Sequence, residues 1–129
     1  MVGNGNLTLD ELYAAANEMC RKHWGVDYTG TIRLTNAKWK AYDAYFRSSV
    51  DDDSIREIRM SRVVNAKLTR DEVLANLLHE LVHWRLCTLG LPFDDGSPEF
   101  VRECLRVGAP FSGTRKAQMA AKLYGGVAK

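Results

Sequence analysis

Leu77-Leu78-His79-Glu80-Leu81-Val82-His83-Trp84 is the stretch that decides the fold, because it sets two histidines and a glutamate inside an apolar run. The run extends in both directions. Val73, Leu74, Leu77, Leu78, Leu81, Val82, Leu86 and Leu89 cover more than half of a helix circumference, which predicts a central, buried helix. Thr69-Arg70-Asp71-Glu72 is a capping box that starts it, Gly90 is placed for a left-handed C-cap, and Pro92 forbids continuation.

Residues four apart share a helix face, so His79 and His83 can converge on one tetrahedral ion with Glu80 beside them. The pattern His-Glu-x-x-His in a helix is the arrangement in which zinc lowers the pKa of a water towards about 7 and the glutamate accepts its proton. The competing explanation is a set of core polar groups satisfied by neighbours. Two imidazoles and a carboxylate amid leucine and valine cost several kcal/mol unless compensated, and a cation supplies that compensation.

A third protein ligand has no histidine after His83 to draw on, which leaves carboxylates. Asp94 and Asp95 follow the helix-ending glycine, while Glu99 and Glu103 share one face of the next predicted helix. Asp95 is preferred, because a loop adjusts to tetrahedral geometry more readily than a fixed helix face. Glu103 is the main rival, and ordinary turn chemistry is the competing role for Asp94 and Asp95.

Further out, Thr8-Leu9-Asp10-Glu11 is a second capping box, followed by an apolar stripe at Leu9, Leu12, Ala16, Met19, Cys20 and Trp24 that stops near Gly25. His23 falls at the end of that helix, where a helix-end role is expected. Thr31 to Thr35 alternates as a strand, and Ala41 to Phe46 is rich in aromatics and reads as a second. Asp51-Asp52-Asp53-Ser54 reads as a turn. Ile55 to Val64 is expected as a third strand, with Ile58, Met60 and Val63 alternating against Arg56, Arg59 and Arg62. Three short strands between helices suggest a small mixed sheet, mainly antiparallel because the connections are short. Ser97-Pro98-Glu99 opens another helix, through Phe100, Val101, Cys104, Leu105 and Val107 to Gly108. Thr114 to Tyr124 is weakly helical.

At 129 residues, one domain is expected over 1–129, with a core at about 7–112 and a basic tail at 113–129. Hydrophobic residues at 46% and charged residues at 26% exclude a disordered chain. A formal charge of +2 is too small to specify a partner. Arg115, Lys116, Lys122 and Lys129 lie in an acid-free stretch, read as a solvated helix end in preference to a phosphate contact. Met1 to Asn6 lacks the pattern of a secretory signal, and no stretch has the apolar length of a membrane span. Cys20, Cys87 and Cys104 contain no C-x-x-C pair, which argues against a disulfide framework and a zinc ribbon and for a reduced, cytoplasmic setting.

The chain resembles the SprT-like family of zinc metallopeptidases. The resemblance runs from the helix at Leu9 to Trp24, through the strands and Leu77 to Trp84, to Ser97-Pro98-Glu99-Phe100, about the first 110 residues. Its most specific parts are the histidine helix and the Pro-Glu-Phe segment, which is similar to the family's His-Gly-Pro-Glu-Phe. The histidine of that second motif is the family's third zinc ligand. Aligned without a gap, Gly96 stands at its position here, and the adjacent Asp95 is the natural substitute. The resemblance implies an α+β, zincin-like metallopeptidase domain in which His79, His83 and Asp95 bind Zn2+ and Glu80 is the general base. It further implies a protein or peptide substrate, an association with DNA, and a small phage- or prophage-type protein of the bacterial or infected-cell cytoplasm. A peptide would add a strand at the edge of the sheet. The rival expectation is a metal-binding domain without hydrolytic activity, acting as a nucleic-acid or protein interaction module; a metal-free structural domain is the third.

Overall fold

The structure is a computed structural model that describes residues 4–40, 43–49 and 55–110. It is an α+β chain with the element order α1 (Leu9–Trp24), β1 (Thr31–Thr35), β2 (Ala44–Ser48), β3 (Arg56–Ser61), α2 (Arg62–Asn65), α3 (Arg70–Thr88) and α4 (Pro98–Val107). Its contacts divide it into two units, Met1–Leu81 and Val82–Lys129, with α3 contributing residues to both.

The first unit holds α1, the sheet, α2 and the first three turns of α3. In α1 the Thr8 hydroxyl accepts from the Glu11 N–H and the Glu11 carboxylate accepts from the Thr8 N–H. The expected stripe is buried at Leu12, Ala16 and Cys20, while Leu9 at its start is exposed. Gly25 ends the helix at φ 66°, a left-handed conformation that costs glycine nothing.

The sheet order is β1-β3-β2, with β1 parallel and β2 antiparallel to the central β3. The sheet is the small mixed one expected, but with one parallel and one antiparallel pairing it is not mainly antiparallel. Short connections favour antiparallel pairing only when consecutive strands are neighbours. Here β3 inserts between β1 and β2, so the first of those connections joins strands that never pair. Register places Ile32, Ile58 and Phe46 side by side on one face, and Arg33, Arg59 and Tyr45 side by side on the other.

Three strand boundaries also differ from the expected ones. Strand β2 begins at Ala44 and runs to Ser48, because Arg47 and Ser48 pair with Glu57 and Arg56. Strand β3 stops at Ser61, whose hydroxyl accepts from the Val63 and Val64 N–H groups and donates to the Ala37 carbonyl. That cap turns Arg62 to Asn65 into the short helix α2, so Val63 is not a strand residue. Arg56 shares the strand face of Ile58 and Met60 and does not oppose them. Arg59 does lie on the opposite face, where it is tied to Glu57 at 2.6 Å and to the Tyr45 hydroxyl at 3.0 Å. The expected turn at Asp51 to Ser54 and the segment from Thr114 to Tyr124 fall outside the described residues.

The capping box at α3 forms as read: the Thr69 hydroxyl accepts from the Glu72 N–H, and Glu72 accepts from the Thr69 N–H. Val73 and Leu77 are fully buried in the first unit, each contributing roughly 1.5–3 kcal/mol by removal from water. In the second unit α3 continues through buried Val82, Trp84 and Leu86 to Gly90 at φ 72°. The Leu91 N–H then bonds the Leu86 carbonyl and closes the helix end. Helix α4 opens with Ser97 accepting from the Phe100 N–H and Pro98 in its first turn, buries Phe100, Val101, Cys104 and Val107, and leaves Leu105 exposed. No helix among the described residues is long and apolar enough to cross a membrane.

Candidate metal centre

The central turns of helix α3 are largely buried, so the polar side chains there stand out. Glu80 is 5% exposed and His83 9%. His79, Glu80 and His83 bring one ligand atom each within 4.8 Å of one another, a group that could hold a metal ion. The 3.6-residue period produces this convergence, since positions 79, 80 and 83 lie along one side of a single turn. Within the group, His79 Nε2 stands 3.9 Å from Glu80 Oε1.

The surroundings of His83 come from the loop after α3 and from the start of α4. Its Nδ1 makes a short contact with the Phe93 carbonyl. Its Nε2 lies 2.9 Å from Asp95 Oδ1. The imidazole plane is stacked on the Phe100 ring, with centroids 3.9 Å apart and planes 12° from parallel. The loop is shaped by Ser97, whose N–H and hydroxyl both donate to the Asp94 carbonyl, at 3.0 and 2.9 Å.

These contacts test whether a cation suits the residues. The Phe93 carbonyl and the Asp95 carboxylate are both acceptors, and a neutral imidazole carries a single N–H. With Nδ1–H given to Phe93, Nε2 faces a carboxylate oxygen, an arrangement that asks for positive charge between them, supplied by a second ring proton or by a bound cation. Two ligand atoms on a tetrahedral zinc at about 2.0–2.1 Å stand about 3.3 Å apart, so the 2.9 Å spacing, itself a hydrogen-bond length, would have to widen to admit an ion. A backbone carbonyl on the second nitrogen is also the usual partner of a metal-bound histidine. The donor set of imidazole nitrogen and carboxylate oxygen therefore fits a divalent ion.

The other sequence candidates take different places. Asp95 joins the site through His83 and is not a member of the group of three. Asp94 serves the turn through its backbone carbonyl. Glu103 forms a two-pronged pair with Arg106, at 2.6 and 2.8 Å, along the surface of α4. Glu99 lies in the first turn of α4, where its charge complements the helix end. His23 sits in the last turn of α1, its ring tilted against Trp24. Arg115, Lys116, Lys122 and Lys129 fall outside the described residues. The contacts of Phe93 and Phe100 with His83 were not anticipated from the sequence. A backbone carbonyl leaves no trace in residue type, and Phe100 reads simply as an apolar position of α4.

Comparison with protein-family models, with curated proteins and with solved structures finds no match for this chain.

Proposed function

We propose that the chain is a zinc-dependent peptidase of zincin-like design, with the metal held by His79, His83 and Asp95 and with Glu80 as general base. The observation that carries this reading is His83, whose two ring nitrogens face two oxygen acceptors while Glu80 is buried one turn away on the same helix. Zinc, when bound, supplies Lewis acidity and a water of lowered pKa. The protein's own groups supply the rest. Glu80 takes the proton released as water adds to the peptide carbonyl and returns it to the departing amine nitrogen. The Phe93 carbonyl holds the Nδ1 proton of His83, which fixes the tautomer that leaves Nε2 able to ligate.

The substrate we assign is an extended protein or peptide segment, with proteins associated with DNA as the class implied by the SprT-like resemblance. Of the two sheet edges, β1 is engaged: the Ile32 N–H donates to the Tyr13 hydroxyl at 2.8 Å, and Arg62 reaches the Leu34 carbonyl at 3.4 Å. We assign strand addition to an edge of this three-stranded sheet.

The test is peptide hydrolysis by the zinc-loaded protein against its Glu80→Gln variant. The expected loss is about 10²- to 10⁴-fold, the usual contribution of a general base, with zinc content retained. Equal, background-level turnover by both proteins contradicts the peptidase assignment and favours a metal-binding interaction module.

A further inference from the structure

We propose that Phe100 is the positioning residue of the centre: its ring holds the plane of the His83 imidazole, so that affinity for metal depends on a side chain that cannot itself ligate. The proposal rests on α3 being a metal site and not on the peptidase reading.

A histidine side chain is poorly held by its own torsions. Rotation about the bond to the ring is broad and roughly two-fold, so an imidazole free to turn presents either edge to a metal. Two independent restraints act on His83. The Phe93 carbonyl engages Nδ1 and sets which edge faces the loop. The Phe100 ring, 3.9 Å away and within 12° of parallel, sets the plane. A carbonyl contact alone leaves the ring able to tilt about the axis of that bond; a stacked plate removes the tilt. With both in place, Nε2 is directed at Asp95 Oδ1.

Phe100 is itself well fixed. It is fully buried, and its backbone N–H donates to the Ser97 hydroxyl in the capping turn of α4. The same Ser97 hydroxyl and N–H hold the Asp94 carbonyl, next to both Phe93 and Asp95. Carbonyl, carboxylate and plate thus come from one hydrogen-bonded piece of chain, residues 93–100. Ordering the ring before the ion arrives removes a cost that binding would otherwise carry.

The experiment measures zinc affinity by competition with a chromophoric chelator for the full chain, Phe100→Leu and Phe100→Tyr. Leucine keeps an apolar side chain and removes the flat plate; tyrosine keeps the plate. Expected is a loss of about 10- to 100-fold in Phe100→Leu, the range for partners of ligating histidines, with cooperative thermal unfolding preserved, and near-normal affinity in Phe100→Tyr. Affinity in a folded Phe100→Leu equal to that of the unsubstituted chain overturns the positioning role and leaves the metal site standing. Absence of zinc binding by the unsubstituted chain removes the site itself, and the proposal with it. Proton NMR of the unsubstituted, metal-free chain tests the stacking that the proposal requires. Ring protons of His83 shifted upfield by the stacked Phe100 support the plate, and unshifted protons refute it.

Discussion

Helices α1 and α3 begin and end with the same devices. Thr8 with Glu11 and Thr69 with Glu72 close reciprocal capping boxes, with bonds of 2.9 to 3.2 Å, and Gly25 and Gly90 close the far ends in the left-handed conformation. Between those ends they differ. Helix α1 buries one stripe and turns Glu18, Arg21 and Lys22 to solvent. Helix α3 buries nearly everything in its central turns, including Glu80 and His83. The contrast teaches that start and stop signals say where a helix lies, while buried polar groups mark where it carries side chains whose burial is costly unless compensated.

The largest test of that contrast removes one buried leucine from each helix. Leu12→Ala and Leu81→Ala each take a fully buried side chain, and each is expected to cost about 2–5 kcal/mol in chemical denaturation. Only Leu81→Ala, between Glu80 and His83, is expected to weaken zinc binding as well. An equal effect of both on zinc would break the distinction between the two helices.

Smaller effects sharpen what the helices share. Thr8→Ala and Thr69→Ala should each cost about 1 kcal/mol, and by similar amounts, since each removes the same hydroxyl from the same kind of cap. A much larger loss at Thr69, measured by denaturant midpoint, would show that the α3 cap carries more than its local bonds. The smallest effect is with pH. Bonding to the Thr8 backbone N–H, then to its hydroxyl, holds the Glu11 carboxyl below its ordinary range, and Thr69 does the same for Glu72 in the same order. Groups with depressed folded values add stability that is present above the unfolded glutamate value, about 4.3, and lost as pH falls through the folded values. Both carboxylates are exposed and screened, so the slope is shallow. Glu11→Gln with Glu72→Gln should flatten it; an unchanged acid slope would place the titration elsewhere.

Much of this architecture was legible because helix ends are local. Thr-x-x-Glu, Ser-Pro-Glu and the terminal glycines carry their hydrogen bonds within a few residues, and α1, α3 and α4 fall where those signals place them. The sheet was less legible. Whether β3 pairs with β1 or β2 depends on contacts distant in sequence, and alternation along a strand does not encode its neighbour. Helix α2 was missed because it arises from one side chain, Ser61, capping a four-residue segment in which two residues are valine. At the site, His79, Glu80 and His83 were legible through their spacing. The loop was legible only in part: Asp95 could be singled out as a carboxylate near the helix end, while its pairing with His83 depends on how residues 93–100 fold back.

The central claim is that a pair of histidines on α3 holds zinc, and elemental analysis tests it most directly. The full chain, purified free of metal and then reloaded, should retain about one zinc per molecule, and the His79→Ala, His83→Ala double variant should retain none while remaining folded. Equal zinc in the two proteins would contradict it.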